Sequence, residues 1–201
     1  MATPDLLPAT PDGIAAAAAR IAAGELVVVP TDTVHGVAVR RDDQAAMDRL
    51  FELKGRPPER RVAWLVRDVA QVRELGLRLD ERAEGLAARF WPGGLTLVLA
   101  TGDGDTLGVR APNHPTAQAL LALTGPLPTS SANRHGEPET FGTDDILVAF
   151  ATSDGPAAIV EGRSPGGRAS SVLDCSGARP KLLREGAIPR EELEAVIGPI
   201  D

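Results

Sequence analysis

Two kinds of side chain recur at the ends of apolar runs in this chain, and together they describe a chemistry. Cations stand at Lys54, Arg56, Arg60, Arg110, Arg168 and Arg184. Hydroxyls and amides stand at Thr31, Thr33, Thr129, Ser131, Asn133, Ser170 and Ser171. Lys and Arg neutralise phosphate or carboxylate charge, and Arg grips a planar anion through two bonds at once. Hydroxyls and amides fix orientation. The set suits a polyanion together with a small zwitterion. No member is specific alone; order and spacing carry the reading.

The densest stretch is Pro30-Thr31-Asp32-Thr33-Val34-His35-Gly36-Val37, directly after Leu26-Val27-Val28-Val29. A buried strand is expected to run into a polar turn and back into a strand, with Gly36 permitting a bend or a close approach. Loops at strand ends are where α/β sheets keep their chemistry. The same residues also suit a well-capped turn with no ligand.

Several signatures are absent. There is no GxxxxGK[ST], no GxGxxG after a strand, no HExxH and no GxSxG, which leaves a P-loop, a Rossmann site, a zincin and a serine elbow unsupported. His35, His114 and His135 fall in polar loops without ligand spacing, so no metal site made of protein side chains is expected. His114, before Pro115, equally suits a helix start.

The elements that must position these groups alternate along the chain. Residues 1–11 are proline-rich and read as a flexible tail, and residues 12–201 as one catalytic domain. Asp12 is read as the N-cap of an Ala-rich helix ended by Gly24. A strand over 25–30 leads into the polar stretch. Asp42 and Asp43 open a second helix, whose Met47, Leu50, Phe51 and Lys54 share one stripe, and Gly55 and Pro57 end it. Lys54, Arg56, Arg60 and Arg61 then gather before a strand over 62–66; cations in a solvated loop after a helix C-terminus are equally common. Helices are expected after Asp68, over 80–90, after His114-Pro115, over 144–150 and after Pro189. Strands are expected over 95–100, 107–110, 127–133, 157–160, 170–175 and 181–184. Arg110 is expected to point out of a strand end, and residues 162–168 read as a mobile loop. The alternation is not strictly βαβ, so a mixed twisted sheet is expected.

The 201 residues are 43% hydrophobic but only 3% aromatic, so Val, Leu and Ala must fill the core. The formal charge of −7 argues against bulk nucleic-acid binding, though not against a local basic groove. Cys175 is the only cysteine and reads as a small core residue, which fits a reducing, cytoplasmic setting. No basic leader or membrane-length apolar run is present.

The ordered motifs resemble those of the YrdC-type L-threonylcarbamoyladenylate synthases. That family's pattern runs PT[DE]TVYGL, KGRP, WPGPxT, VRxPxHP, a hydroxyl-rich SAN, then [RS]xSTVVD and a strand carrying an Arg. Here these stand as Pro30 to Val37, Lys54 to Pro57, Trp91 to Thr96, Val109 to Pro115, Thr129 to Asn133, Arg168 to Asp174, and Leu183-Arg184-Glu185-Gly186-Ala187-Ile188. The resemblance covers about residues 12–190. It implies a YrdC-like α/β fold, a twisted mixed sheet flanked by helices with a concave, positively charged groove. It implies that L-threonine, bicarbonate and ATP become threonylcarbamoyl-AMP and pyrophosphate, with Mg2+ accompanying ATP, for tRNA threonylcarbamoyladenosine modification.

Carried over to matching positions, Lys54, Arg56 and Arg110 are the implied catalytic residues. Lys54, Arg56, Arg60, Thr129, Ser131, Asn133, Ser170 and Arg184 would hold ATP. Thr33, His35 and Arg110 would hold threonine, with Arg110 on its carboxylate. The chemistry is mainly positioning and charge stabilisation. Asp32 and His35 are candidate bases and neither stands out; substrate phosphate or solvent could serve. The departures are His35 for the usual Tyr, Val37 for Leu, Gly94 for Pro, Arg60-Arg61-Val62 where a Lys or Asn and Pro-Leu are common, and a loosened segment after Asn133. Longer relatives carry a further C-terminal domain, so the short form is expected.

The implied partners are ATP, L-threonine, bicarbonate and, functionally, a tRNA threonylcarbamoyl transferase complex; direct RNA contact is compatible, and no membrane is expected. A different class, a YrdC-like module that binds RNA or nucleotide without catalysis, would need a long basic stripe and aromatic stacking platforms, which the charge and composition disfavour. A carbamoyl-transfer domain like that inside hydrogenase-maturation proteins would need neighbouring domains.

Overall fold

The structure, a computed structural model, describes residues 3–55, 62–151 and 155–201. Its ten strands form one sheet: β1 (Asp5–Leu7), β2 (Val27–Val29), β3 (Gly36–Ala38), β4 (Ala63–Leu65), β5 (Leu95–Ala100), β6 (Thr106–Arg110), β7 (Leu127–Ser131), β8 (Ala158–Val160), β9 (Ser171–Asp174) and β10 (Lys181–Arg184). They lie in the order β1-β8-β2-β3-β7-β4-β6-β5-β9-β10. Parallel pairs such as β4 with β6 and β5 with β9 sit beside antiparallel pairs such as β2 with β3 and β5 with β6. The sheet is therefore mixed, as expected. The segment read as a flexible tail contains an edge strand: β1 pairs in parallel with β8, and its Asp5 forms an ion pair with Arg20. Three residues between prolines carry too little periodicity to announce a strand.

Among the described residues seven helices flank the sheet: α1 (Pro11–Ala22), α2 (Gln44–Lys54), α3 (Val69–Glu74), α4 (Glu81–Phe90), α5 (Pro115–Thr124), α6 (Thr143–Ala149) and α7 (Arg190–Ile197). Asp43, Asp68 and Asp80 cap α2, α3 and α4 by accepting the N–H three residues on. The first helix departs from expectation. Thr10, not Asp12, is its N-cap, accepting from Gly13 N at 3.3 Å, because Pro11 suits the first helical turn. Gly55 ends α2 in a left-handed conformation, with φ 59°.

The layering is asymmetric. Around β2, β3 and β8 both faces are covered. Val27 and Val29 pack with Ile14, Ile21 and Leu120 of α1 and α5, while Val28 and Val37 pack with Leu50 and Ile146 of α2 and α6. Around β5, β6 and β9 one face is covered. Leu95, Leu97, Leu99, Val109 and Leu173 pack on Leu86, Phe90 and Leu193 of α4 and α7. The alternate residues Thr96, Val98, Gly108, Arg110, Val172 and Asp174 point the other way and border a cleft. Small side chains at Ala63 and Gly108 keep its floor low. No helix among the described residues is long and apolar enough to cross a membrane.

Candidate active site

The cleft encloses about 470 Å³ and runs from the loop between β2 and β3 to β10. Its most constrained group is Arg110, the last residue of β6. The residue is 6% exposed, not projecting outward as the sequence suggested. Its Nε donates to Gly93 O at 2.9 Å, one terminal nitrogen donates to Thr33 Oγ1 at 2.7 Å, and the other donates to Asp32 Oδ1. A buried guanidinium needs this company, since an unpaired charge away from water is costly. Burial pushes the Arg110 pKa down, Asp32 opposes that shift, and nearby Arg184 adds to it. Asp32 also accepts Asn113 N at 3.0 Å, which fixes it as a counterion. Gly93 is held beside Arg110 by its own N–H, which donates to Ala111 O at 2.8 Å.

Across β3 and β7 the wall is hydroxyl-rich. Thr129, Ser130 and Ser131 border the cleft. Thr129 fits because Gly36, which pairs with Ser131 and lies diagonal to Thr129, has no Cβ; one built there would lie 2.5 Å from Thr129 Cγ2. Lys54 and Asn133 are buried and do not border the cleft. Lys54 Nζ donates to Ser131 O, to Asn133 O at 2.6 Å and to Asn133 Oδ1 at 3.3 Å. Ser131 Oγ donates to Asn133 Oδ1 at 2.7 Å. Lys54 thus binds α2 to the end of β7 and puts positive charge behind its oxygens.

The third wall comes from β5, β9 and β10. Thr96 Oγ1 and Ser170 Oγ lie 2.8 Å apart. Arg184 donates from Nε to Ser170 O at 3.0 Å and from a terminal nitrogen to Ser170 Oγ at 3.2 Å. It forms no ion pair with another described residue. Fully buried Ser171 receives Gly186 N at 2.8 Å and Ile188 N at 3.0 Å, and donates to Ile188 O at 2.5 Å. It ties the segment after Arg184 to β9.

His35 borders the cleft but is sealed at 0% exposure, with Nε2 buried and unpartnered. Its Nδ1 lies 3.1 Å from Ser164 Oγ, which also receives Thr31 N at 3.2 Å. Burial pushes the imidazole pKa down to about 4. His114 sits nearby with its Nδ1 buried and unpartnered, and burial lowers its pKa as well.

The structure therefore gathers Thr33, His35, Arg110, Thr129, Ser131, Ser170 and Arg184 around one cleft, with Lys54 and Asn133 behind it. Arg56 and Arg60 lie outside the described residues. Arg168 is exposed and does not border the cleft, and His135 is exposed too. Ser164 and the anchoring role of Asp32 escaped the sequence reading. Ser164 has no motif around it, and the Asp32–Arg110 pair spans 78 positions. Among the described residues no group of three or more His, Cys, Asp or Glu could hold a metal ion.

The Sua5/YciO/YrdC family model, described by the words telomere recombination, matches residues 19–186. The threonylcarbamoyl-AMP synthase of Bacillus subtilis is 38% identical over 199 residues, covering 93% of this chain and 57% of the relative. That of Pyrococcus abyssi is 38% identical over 194 residues, covering 92% and 57%. A crystal structure of P. abyssi Sua5 complexed with L-threonine superposes with a TM-score of 0.90 at 34% identity, covering 99% of this chain and 62% of that one. This chain spans less than two thirds of the length of these relatives.

Proposed function

This chain belongs to the Sua5/YciO/YrdC family, and from that premise we propose that it joins L-threonine, bicarbonate and ATP into threonylcarbamoyl-AMP and pyrophosphate. The observation that carries the reading is the state of Arg110. A guanidinium has five N–H donors. Three are committed, to Gly93, Thr33 and Asp32, which leaves one N–H on each terminal nitrogen of a residue that borders the cleft, two donors for the two oxygens of a carboxylate. Arg184 shares that cleft, close enough to depress the Arg110 pKa. Asp32 already neutralises Arg110, so the guanidinium at the cleft border without an ion pair among the described residues is that of Arg184, which suits an anionic group of the second ligand.

In this reading Arg110 takes the threonine carboxylate and Thr33 and His35 wall the amino acid. Thr129, Ser131, Ser170 and Arg184 orient the nucleotide, with Lys54 and Asn133 supporting them. Arg56 belongs to the same nucleotide side by its place in the Lys54 to Pro57 motif, and Arg60 follows it where the family commonly carries a Lys or Asn. The threonine nitrogen, once deprotonated, bonds to the bicarbonate carbon, one C–O bond of bicarbonate breaks, and that oxygen leaves as water to give the carbamate. A carbamate oxygen then attacks the α-phosphorus, the bond to the bridging oxygen breaks, and pyrophosphate leaves. Asp32 is committed to Arg110 and His35 is sealed, so the ammonium proton goes to substrate phosphate or solvent.

Magnesium would arrive with ATP and offset phosphate charge. The donors present fit that role: Ser131 and Glu139 supply oxygens along the cleft, without the carboxylate cage that a protein-held cation would need. The product would feed a tRNA threonylcarbamoyl transferase in the cytoplasm. Pyrophosphate release tests the proposal. It should require threonine and bicarbonate together with ATP; folded protein that releases pyrophosphate without that dual requirement, or none at all, overturns it.

A further inference from the structure

We propose that Ser164 is a positioning residue for the threonine side of the cleft, acting through Thr31 and Thr33 on Arg110. This deepens the proposed function and rests on it. Ser164 sits between β8 and β9, is 2% exposed, and makes its bonds to distant parts of the chain. Its backbone N donates to Phe141 O at 3.1 Å. Its hydroxyl oxygen receives Thr31 N at 3.2 Å and lies 3.1 Å from His35 Nδ1. Ser164 Oγ thus accepts the Thr31 N–H and shares a hydrogen bond with His35 Nδ1 whose direction follows the imidazole tautomer. Burial keeps His35 neutral near physiological pH, in keeping with its lowered pKa.

From Thr31 the bonds continue in one direction. Thr31 Oγ1 donates to Val34 O at 2.6 Å, so it accepts from Thr33 N and stands 3.2 Å from Thr33 Oγ1. Thr33 Oγ1 in turn accepts from Arg110 at 2.7 Å. With Thr31 Oγ1 already donating to Val34 O, the Thr33 hydroxyl hydrogen is directed to Thr31 Oγ1, which leaves a Thr33 lone pair for Arg110. That polarity makes Thr33 an acceptor for the guanidinium. Anchoring Thr31 N fixes the start of the turn and with it the whole sequence of bonds. His35 stands where the family usually places Tyr, and here its Nδ1 holds Ser164 while its Nε2 is buried without a partner.

The test uses the full chain as wild type, Ser164→Ala, Ser164→Thr and His35→Phe. Calorimetric titrations measure L-threonine and ATP separately, and nuclear magnetic resonance follows the Thr31 amide and the Arg110 Nε–H without ligand. Ser164→Ala should raise the threonine Kd by about tenfold while the ATP Kd changes less than about twofold. Ser164→Thr, which keeps the hydroxyl, should restore binding, and His35→Phe should weaken threonine in the same direction as Ser164→Ala. Both resonances should shift in Ser164→Ala. Unchanged threonine binding, or equal losses of both ligands, overturns the proposal. Wild-type protein that binds ATP but not threonine removes the functional reading. In that case shifted resonances still support Ser164 as the anchor of Arg110, and unmoved ones overturn that as well.

Discussion

Arg110, Lys54 and His35 are three groups that water would normally hold, and each is buried here. Arg110 is satisfied by a fixed fork of partners, so Arg110→Lys cannot reproduce its geometry. That variant should weaken threonine binding at least about tenfold and leave ATP nearly unchanged; calorimetry showing equal losses contradicts the assignment. Lys54→Met should behave differently. It strips a donor from Ser131 O and Asn133 O, and buried unpaired acceptors cost about 1–3 kcal/mol. A lowered melting temperature together with weaker ATP binding is expected, with threonine less affected. His35 sets a pH dependence. An unfolded imidazole titrates near 6.5, whereas His35 does so near 4. Between those values the unfolded chain binds more protons. Stability should therefore fall as pH drops from 6.5 toward 4, by about 1.4 kcal/mol per pH unit from this residue. His114 is shifted the same way and adds to the slope in every variant that keeps it. Denaturant unfolding across this range should give a shallower slope for His35→Phe than for wild type; equal slopes contradict the assignment.

Among the elements, β5 and β9 do the positioning. Their odd and even residues divide cleanly, Leu97 and Leu173 into the core, Thr96 and Val172 to the cleft. Ser171 breaks the pattern usefully: it is buried, yet polar, because it receives the backbone of the segment that follows Arg184. Ser171→Ala should speed amide exchange at Gly186 and Ile188 and weaken ATP through a less fixed Arg184. Unchanged exchange there would remove this role. Most elements were legible because their signals are local: aspartates at 43, 68 and 80 each precede a helix, and β5 is an uninterrupted run with Thr96 inside. Thr10 was missed as a cap because Asp12 resembles one, although Pro11 marks the first turn. The pairings were not legible. Lys54 meets Ser131 across 77 positions and His35 meets Ser164 across 129, and nothing in either segment names the other. The ordered motifs gave membership of a site, and the fold added which members touch, which stand behind, and which anchor.

At the scale of the whole molecule, the sheet is covered on both faces at one end and on one face at the other. The uncovered face becomes the cleft, where helices would otherwise bury the strands. Cys175 belongs to the covered side: burial pushes its thiol up to about 12, so it should resist thiol reagents near about pH 8 in the native state and react once unfolded. Labelling of native protein at the rate of a free thiol would contradict that placement. The cleft draws on segments from Thr31 to Arg184, so its geometry depends on the entire sheet and not on any one loop. The most direct test of the account is pyrophosphate release from ATP by the purified full chain, with threonine and bicarbonate each supplied or withheld. Release that needs both, and that falls far more in Arg110→Lys at low threonine than at saturating threonine, is the predicted result. Release indifferent to either co-substrate, or an Arg110→Lys defect that threonine does not relieve, contradicts it.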